Sequence, residues 1–241
     1  MSAQSLVELR PLVSRVDWLA ARRQLLAEEK AMSKALDALA AKRHALPWVR
    51  VDEDYEFRTT EGVQSLADLF AGRGQLVVYH FMFGPDWEEG CPSCSFWADN
   101  FDRIDVHLAH RDTTLLAVSN TSVEKIEAYR ERMGWSFKWV SSLGTDFNRD
   151  FAVTFTPQEL EAGGVDYNFT LSAFPSTEAP GLSVFARLAG GGVAHAYSAF
   201  ARGLDIFNGA YQILDLTPSG RDEGDLPYTQ AWIRRRDQYE D

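Results

Sequence analysis

The chain has 241 residues, of which 45% are apolar and 24% charged, enough for one large domain or a domain with an extension. Its formal net charge of −11 argues against nucleic acid and anionic membrane surfaces, both of which are bound through a basic face. The longest apolar run is about eight residues, far short of a bilayer span. Glu8 and Arg10 interrupt the stretch where a secretory leader needs continuous apolar sequence, so a cytoplasmic protein is the expectation. In that compartment two cysteines serve catalysis or metal binding more readily than a structural disulfide.

Residues 14 to 46 predict a helix. Ser14 with Asp17 forms a capping signal, Trp18, Leu19, Leu25, Leu26, Met32, Leu36 and Leu39 recur at helical spacing, and Pro47 marks the stop. Such a stripe needs cover, either from the main domain, the favoured choice, or from another copy of the chain in a homo-oligomer. Two short strands follow, around Tyr55–Phe57 and Val63, with Gly62 at the turn, and Ser65–Asp68 caps a short helix ending near Gly72. Gln75 to Phe83 is apolar on both faces, the pattern of a central buried strand. Ser95 to Leu108 predicts a helix, Thr113 to Val118 a second buried strand, Ser122 to Met133 a helix ended by Gly134, and Phe137 to Val140 a third strand. Residues 152 to 180 lack periodicity and predict an irregular insertion over the site. Leu182 to Arg187 and Val193 to Ser198 predict a hairpin through Gly190–Gly192, and Leu204 to Leu214 the last helix. The division is a helical extension over 1–50, a main domain over 51–218 and a tail over 219–241. The basic cluster Arg234–Arg236 in that tail has acidic neighbours and predicts a solvated segment.

The only two cysteines sit three positions apart, in Cys91-Pro92-Ser93-Cys94, between the apolar strand and the helix that follows it. A dithiol there can exchange disulfides: one thiolate attacks and the second thiol resolves the mixed disulfide. Cys91 is the candidate nucleophile and Cys94, one turn on, the candidate resolver. The helix N-terminus favours the Cys91 thiolate and lowers its pKa by about one unit, against the opposing Asp86, Glu88 and Glu89. Pro92 suits the first helical turn, where a missing N–H costs nothing. The competing roles are a pair of buried apolar side chains for the cysteines and plain packing for Trp87, otherwise part of a docking surface beside the sulfurs.

Cys91-x2-Cys94 followed by His107 and His110 superficially suggests a zinc site. One helix from 95 to 107 would, at 1.5 Å per residue, put His107 roughly 20 Å from Cys94, beyond any ligand geometry. No metal and no cofactor are therefore expected. His80, inside an apolar strand, reads as a satisfied core histidine rather than a base.

From residue 75 the order is strand, helix, strand, helix, short strand, insertion, hairpin and helix, an α/β mixed sheet flanked by helices. With Cys91-x2-Cys94 opening the first helix, this resembles the thioredoxin superfamily over roughly residues 55 to 216. Gly62–Phe70 is similar to the entry of its peroxiredoxin-type members. Tyr79–Cys94, Met133–Ser142 with Asp146-Phe147, and Ala201–Asp205 with Tyr211 and Leu214–Pro218 more closely resemble a bacterial thioredoxin-like family described only as a domain of unknown function. The resemblance implies a fold and no established substrate. It also implies a cis-proline before the strand facing the dithiol, a position that Pro180 occupies. The alternative is an ordinary trans proline ending the insertion. The superfamily's peroxidases carry a threonine three residues before the reactive cysteine, where this chain has Glu88.

The expected function is thiol–disulfide exchange on protein or small-molecule disulfides, with Cys91 and Cys94 reacting and Trp87, Pro92 and Pro180 contacting substrate. The competing readings are a non-catalytic binding or redox-sensing module on the same scaffold and, further off, a thiol peroxidase.

Overall fold

The computed structural model describes residues 10–240; Glu8 and Asp241 lie outside it. The chain divides into two compact units, one holding the residues up to Pro47 with Leu214–Arg221, the other Trp48–Ile213 with the residues from Asp222 on.

The first unit is dominated by α1 (Arg15–His44). Ser14 caps it by accepting from the Asp17 N–H at 3.2 Å. None of its residues is buried: Trp18, Leu25, Leu26, Met32, Leu36 and Leu39 remain 40–62% exposed.

The second unit is built on an eight-stranded sheet. Its strands are β1 (Val49–Val51), β2 (Glu56–Thr59), β3 (Gly62–Ser65), β4 (Gln75–His80), β5 (Thr113–Ser119), β6 (Lys138–Ser141), β9 (Gly181–Arg187) and β10 (Val193–Phe200). The order across the sheet is β1-β10-β9-β4-β5-β6-β2-β3. β4, β5 and β6 run parallel, whereas β9 lies antiparallel to β4 and turns back as β10. The helices are α2 (Pro92–Phe101), α3 (Asp105–Ala109), α4 (Val123–Met133), α5 (Phe147–Asp150), α6 (Pro157–Glu161) and α7 (Gly209–Leu214). The inner four strands with α2 and the closing hairpin-plus-helix make the fold thioredoxin-like.

The alternating pleat of β4 sorts the core onto two faces. Leu76 and Val78 join Phe57, Leu69, Phe70, Leu116, Val118, Phe147 and Phe185 on one side. Tyr79 and, just beyond the strand, Phe81 face the other, in an aromatic cluster with Phe101, Tyr129, Trp135 and Trp139. His80 is 1% exposed, with Nδ1 3.1 Å from Asn148 Oδ1 and Nε2 3.0 Å from Ser183 Oγ. Burial lowers its pKa to about 4, so it stays neutral as a core histidine.

Four local expectations change. Val49–Val51, unassigned in the sequence, pairs with β10 as an edge strand. The helix expected over 95–108 ends at Phe101 because Asp102 turns extended (φ −59°, ψ 135°), its carboxylate accepting from the N–H and hydroxyl of Ser136, both at 2.8 Å. Arg103 follows with φ 69°. His107 and His110 are exposed in and just after the separate α3, and among the described residues no group of three His, Cys, Asp or Glu side chains could hold a metal ion. The last helix is likewise two pieces, a 3-10 stretch over Ala201–Phe207 and then α7, because buried Asn208 is extended and its Oδ1 accepts from the Tyr211 N–H. The insertion is ordered: α6 carries a full capping box from Thr156 and Glu159, and β7 (Val165–Tyr167) pairs with β8 (Thr170–Ser172). A small core of Val153, Phe155, Val165, Tyr167, Ala179 and Phe200 holds it against the end of β10.

Candidate functional site

Cys91 is the N-cap of α2 and Pro92 its first residue, so the sulfur stands at the end where unpaired backbone N–H groups gather. The loop from β4 is held there by the Cys91 N–H donating to the Met82 carbonyl at 3.0 Å. Ser95 returns both its N–H and its hydroxyl to the Cys91 carbonyl, at 3.0 and 2.9 Å. Both cysteines are free thiols, 4.0 Å apart. Cys91 is half-buried, whereas Cys94, one turn inward, is 1% exposed.

Their acidities diverge. The Cys91 pKa is lowered from the ordinary 9.0 to about 7, first by the hydrogen bond from the Cys94 thiol, then by the N–H groups of Cys94 and Ser93 and by the Arg235 guanidinium. Burial pushes Cys94 well up, as does the proton it must keep in order to donate to Cys91. The Met82 N–H, at 3.5 Å, and the Tyr79 hydroxyl donate to its sulfur. The arrangement therefore supplies one thiolate near neutral pH and one protonated thiol beside it.

Of the three upstream carboxylates, Asp86 and Glu88 are exposed, and Glu89 is paired with Arg132 at 2.5 Å and Arg235 at 2.8 Å. Glu89 is thus largely neutralised and opposes the thiolate less than its position suggests.

Arg235 is the residue that sequence reasoning missed. The tail read as solvated packs back: Ile233 is 3% exposed, and Trp232 meets Phe96 edge-on and Tyr211 at a tilt. Arg235 donates through its Nη2 to the Gly90 carbonyl at 2.7 Å and through Nε to the Tyr129 hydroxyl at 2.8 Å. The Tyr129 hydroxyl also contacts Ser95 Oγ at 2.9 Å, so one network ties the tail, α4 and α2 to the residue before Cys91. The basic run Arg234–Arg236 was the only signal, and it gave no hint of the partner.

Both cysteines open on a cavity of about 500 Å3. Its lining includes Tyr79, Met82 and Trp97 and, from the insertion, Tyr167, Phe174, Pro175 and Pro180. Pro180 is trans, since the described residues contain no cis peptide bond. Its carbonyl accepts from the Tyr167 hydroxyl at 2.8 Å, which fixes it to the insertion. Pro92 is the first residue of the helix and does not line the cavity; neither does Trp87. The Trp87 indole lies over Gly84, so close that a β-carbon there would meet Nε1 at 3.0 Å, and the Trp87 carbonyl accepts from Lys125 Nζ.

No helix among the described residues is long and apolar enough to cross a membrane. No curated protein matches the chain. Similar solved structures include a mutant of PrxQ from Xylella fastidiosa, with 11% identity over 69% of this chain and 94% of that one at a TM-score of 0.44. Peroxidoxin BcpB from Mycobacterium tuberculosis has 13% identity over 68% and 97% at a TM-score of 0.43. A candidate thiol-disulfide oxidoreductase from Bacteroides vulgatus has 21% identity over 44% and 70% at a TM-score of 0.33. Likeness this distant leaves the chemistry to the chain's own residues. The family model described as bacterial protein of unknown function (DUF899) matches residues 7–239, and the chain belongs to that family.

Proposed function

We propose that the protein is a thiol–disulfide oxidoreductase in which Cys91 attacks and Cys94 resolves. The observation that carries this reading is the pairing of two free thiols 4.0 Å apart, the outer with its pKa lowered to about 7 and the inner kept protonated, at the mouth of a cavity. Disulfide exchange needs a thiolate at ambient pH, a second thiol within reach and room for the substrate sulfur. Structural cysteines need none of these. A peroxidatic role is less well supported, because Glu88 stands where the superfamily's peroxidases carry threonine.

The test uses protein reduced beforehand. Cys91→Ser is expected to abolish disulfide reduction, and Cys94→Ser to accumulate a mixed disulfide on Cys91 that mass spectrometry detects. A Cys91→Ser protein that keeps full activity would end the assignment, and the scaffold would then be read as a binding module.

A further inference from the structure

The walls around the sulfurs are built from segments that the minimal fold does not need. One is the insertion, with Tyr167 and Phe174 in ring contact at 4.9 Å. The Tyr167 hydroxyl donates to the Pro180 carbonyl and accepts from the Ala201 N–H at 3.1 Å. The C-terminal tail contributes Tyr228 and Gln230 to the lining. Glu223 holds that tail in place, accepting from the Tyr211 hydroxyl at 2.8 Å, the Gln230 N–H at 3.0 Å and the Trp232 Nε1 at 2.8 Å. The charged side chains in the lining, Arg202 and Asp205, face each other at 3.3 Å. Behind them the surface is aromatic and aliphatic.

We propose that the oxidant this dithiol is shaped for is a small, uncharged organic disulfide bearing an aromatic or branched aliphatic group, and not a disulfide on the face of a folded protein. This rests on the disulfide-exchange reading above and names its substrate class. A volume of about 500 Å3 suits a small ligand. Docking a folded protein would require a broad open face, typically of about 800 Å2 per partner, whereas here Cys91 is half-buried and lines a cavity shared with side chains of the insertion and the tail. The Arg202–Asp205 pair in the lining carries no net charge to attract an ionic substrate, and aromatic side chains favour apolar groups.

The reaction balances as follows. The Cys91 thiolate attacks one sulfur of the substrate, forming a protein–substrate S–S bond and releasing a thiolate that takes a proton from water. Cys94 then gives up its proton and attacks the Cys91 sulfur, releasing the second thiol. The substrate disulfide is reduced to two thiols and the protein dithiol is oxidised to a Cys91–Cys94 disulfide. A low-molecular-weight dithiol, dithiothreitol in the assay, restores it through the same opening.

The experiment mixes reduced full-length protein with 2,2′-dithiodipyridine, glutathione disulfide or insulin, and divides each rate by that of the same oxidant with free dithiothreitol. The ratio for dithiodipyridine should exceed the others by about tenfold or more, the scale of a well-packed aromatic contact. Lowering the walls with Phe174→Ala and Tyr228→Ala together should reduce that ratio and raise the one for insulin. Insulin accelerated as strongly as dithiodipyridine by the wild type, or a preference unchanged in the double variant, would overturn the proposal while leaving disulfide exchange intact. Faster oxidation by cumene hydroperoxide than by any disulfide would overturn it in favour of peroxide chemistry. If no disulfide outpaces its dithiothreitol control, disulfide exchange itself falls, and the proposal with it.

Discussion

Cys91 and Cys94 are separated by one helical turn, yet their surroundings drive their acidities apart. The outer sulfur receives hydrogen bonds and a nearby guanidinium; the inner one sits among Tyr79, Met82 and Trp97 and keeps its proton, donating it in a hydrogen bond to its neighbour. Only the thiolate is alkylated, so the rate of Cys91 modification by iodoacetamide should climb with pH through a midpoint near 7. Arg235→Ala should move that midpoint upward, and Arg235→Lys should land between the two, keeping the charge but losing the fork on the Gly90 carbonyl. The linked effect on stability has a definite sign. A thiol whose folded pKa is depressed adds stability above its unfolded value of 9.0, and that contribution is lost as pH falls through about 7. The pair and the direction of the Cys91 shift were legible from four residues, because a helix N-terminus acts locally. Arg235 was not legible: it lies 145 positions from the carbonyl it holds.

The elements around the site depend on a few tight approaches. Gly90 precedes Cys91, and a β-carbon there would meet Phe81 Cε1 at 2.7 Å and Tyr129 Cε1 at 2.9 Å. Both rings belong to the packed aromatic cluster and cannot give way cheaply. Gly90→Ala should therefore cost about 1–3 kcal/mol, the usual range for overpacking a core, read as a lower urea midpoint. The same change should slow Cys91 alkylation at pH 7, because the loop that presents the sulfur must shift. Strand and helix order was readable from residue 75 onward because hydrophobic period and turn residues are local signals. The breaks at Asp102 and Asn208 were not, since each depends on a hydrogen bond that competes with helix continuation.

Across the whole sheet unit, the insertion is tied down by a buried carboxylate. Glu178 is 2% exposed and accepts from Asn120 Nδ2 at 3.0 Å and Thr154 Oγ1 at 2.7 Å, bridging the end of β5 and the start of the insertion. Burial raises its pKa to about 7 from an ordinary 4.5. Between those two values the folded chain holds a proton that the unfolded chain lacks, so stability should fall as pH rises from about 4.5 to 7 and level off above. Glu178→Gln keeps the shape and the capacity for both hydrogen bonds while removing the ionisation. Urea unfolding should show less of this fall in the variant, with a midpoint above wild type at pH 8. Equal pH profiles for the two proteins would contradict the assignment.

What the amino-acid sequence by itself determined was the thioredoxin-like order of elements, the central strand and the placing of two thiols at a helix start. Those follow from periodicities of two and 3.6 residues and from turn chemistry, which neighbours in the chain set between them. Only the tertiary structure decided the acidity contributed by Arg235, the exposure of α1, the packing of Trp87 on Gly84 and the cavity over the sulfurs. Each of these is a sum over groups distant in sequence, and the interaction energies that select them exist only once the chain has closed on itself.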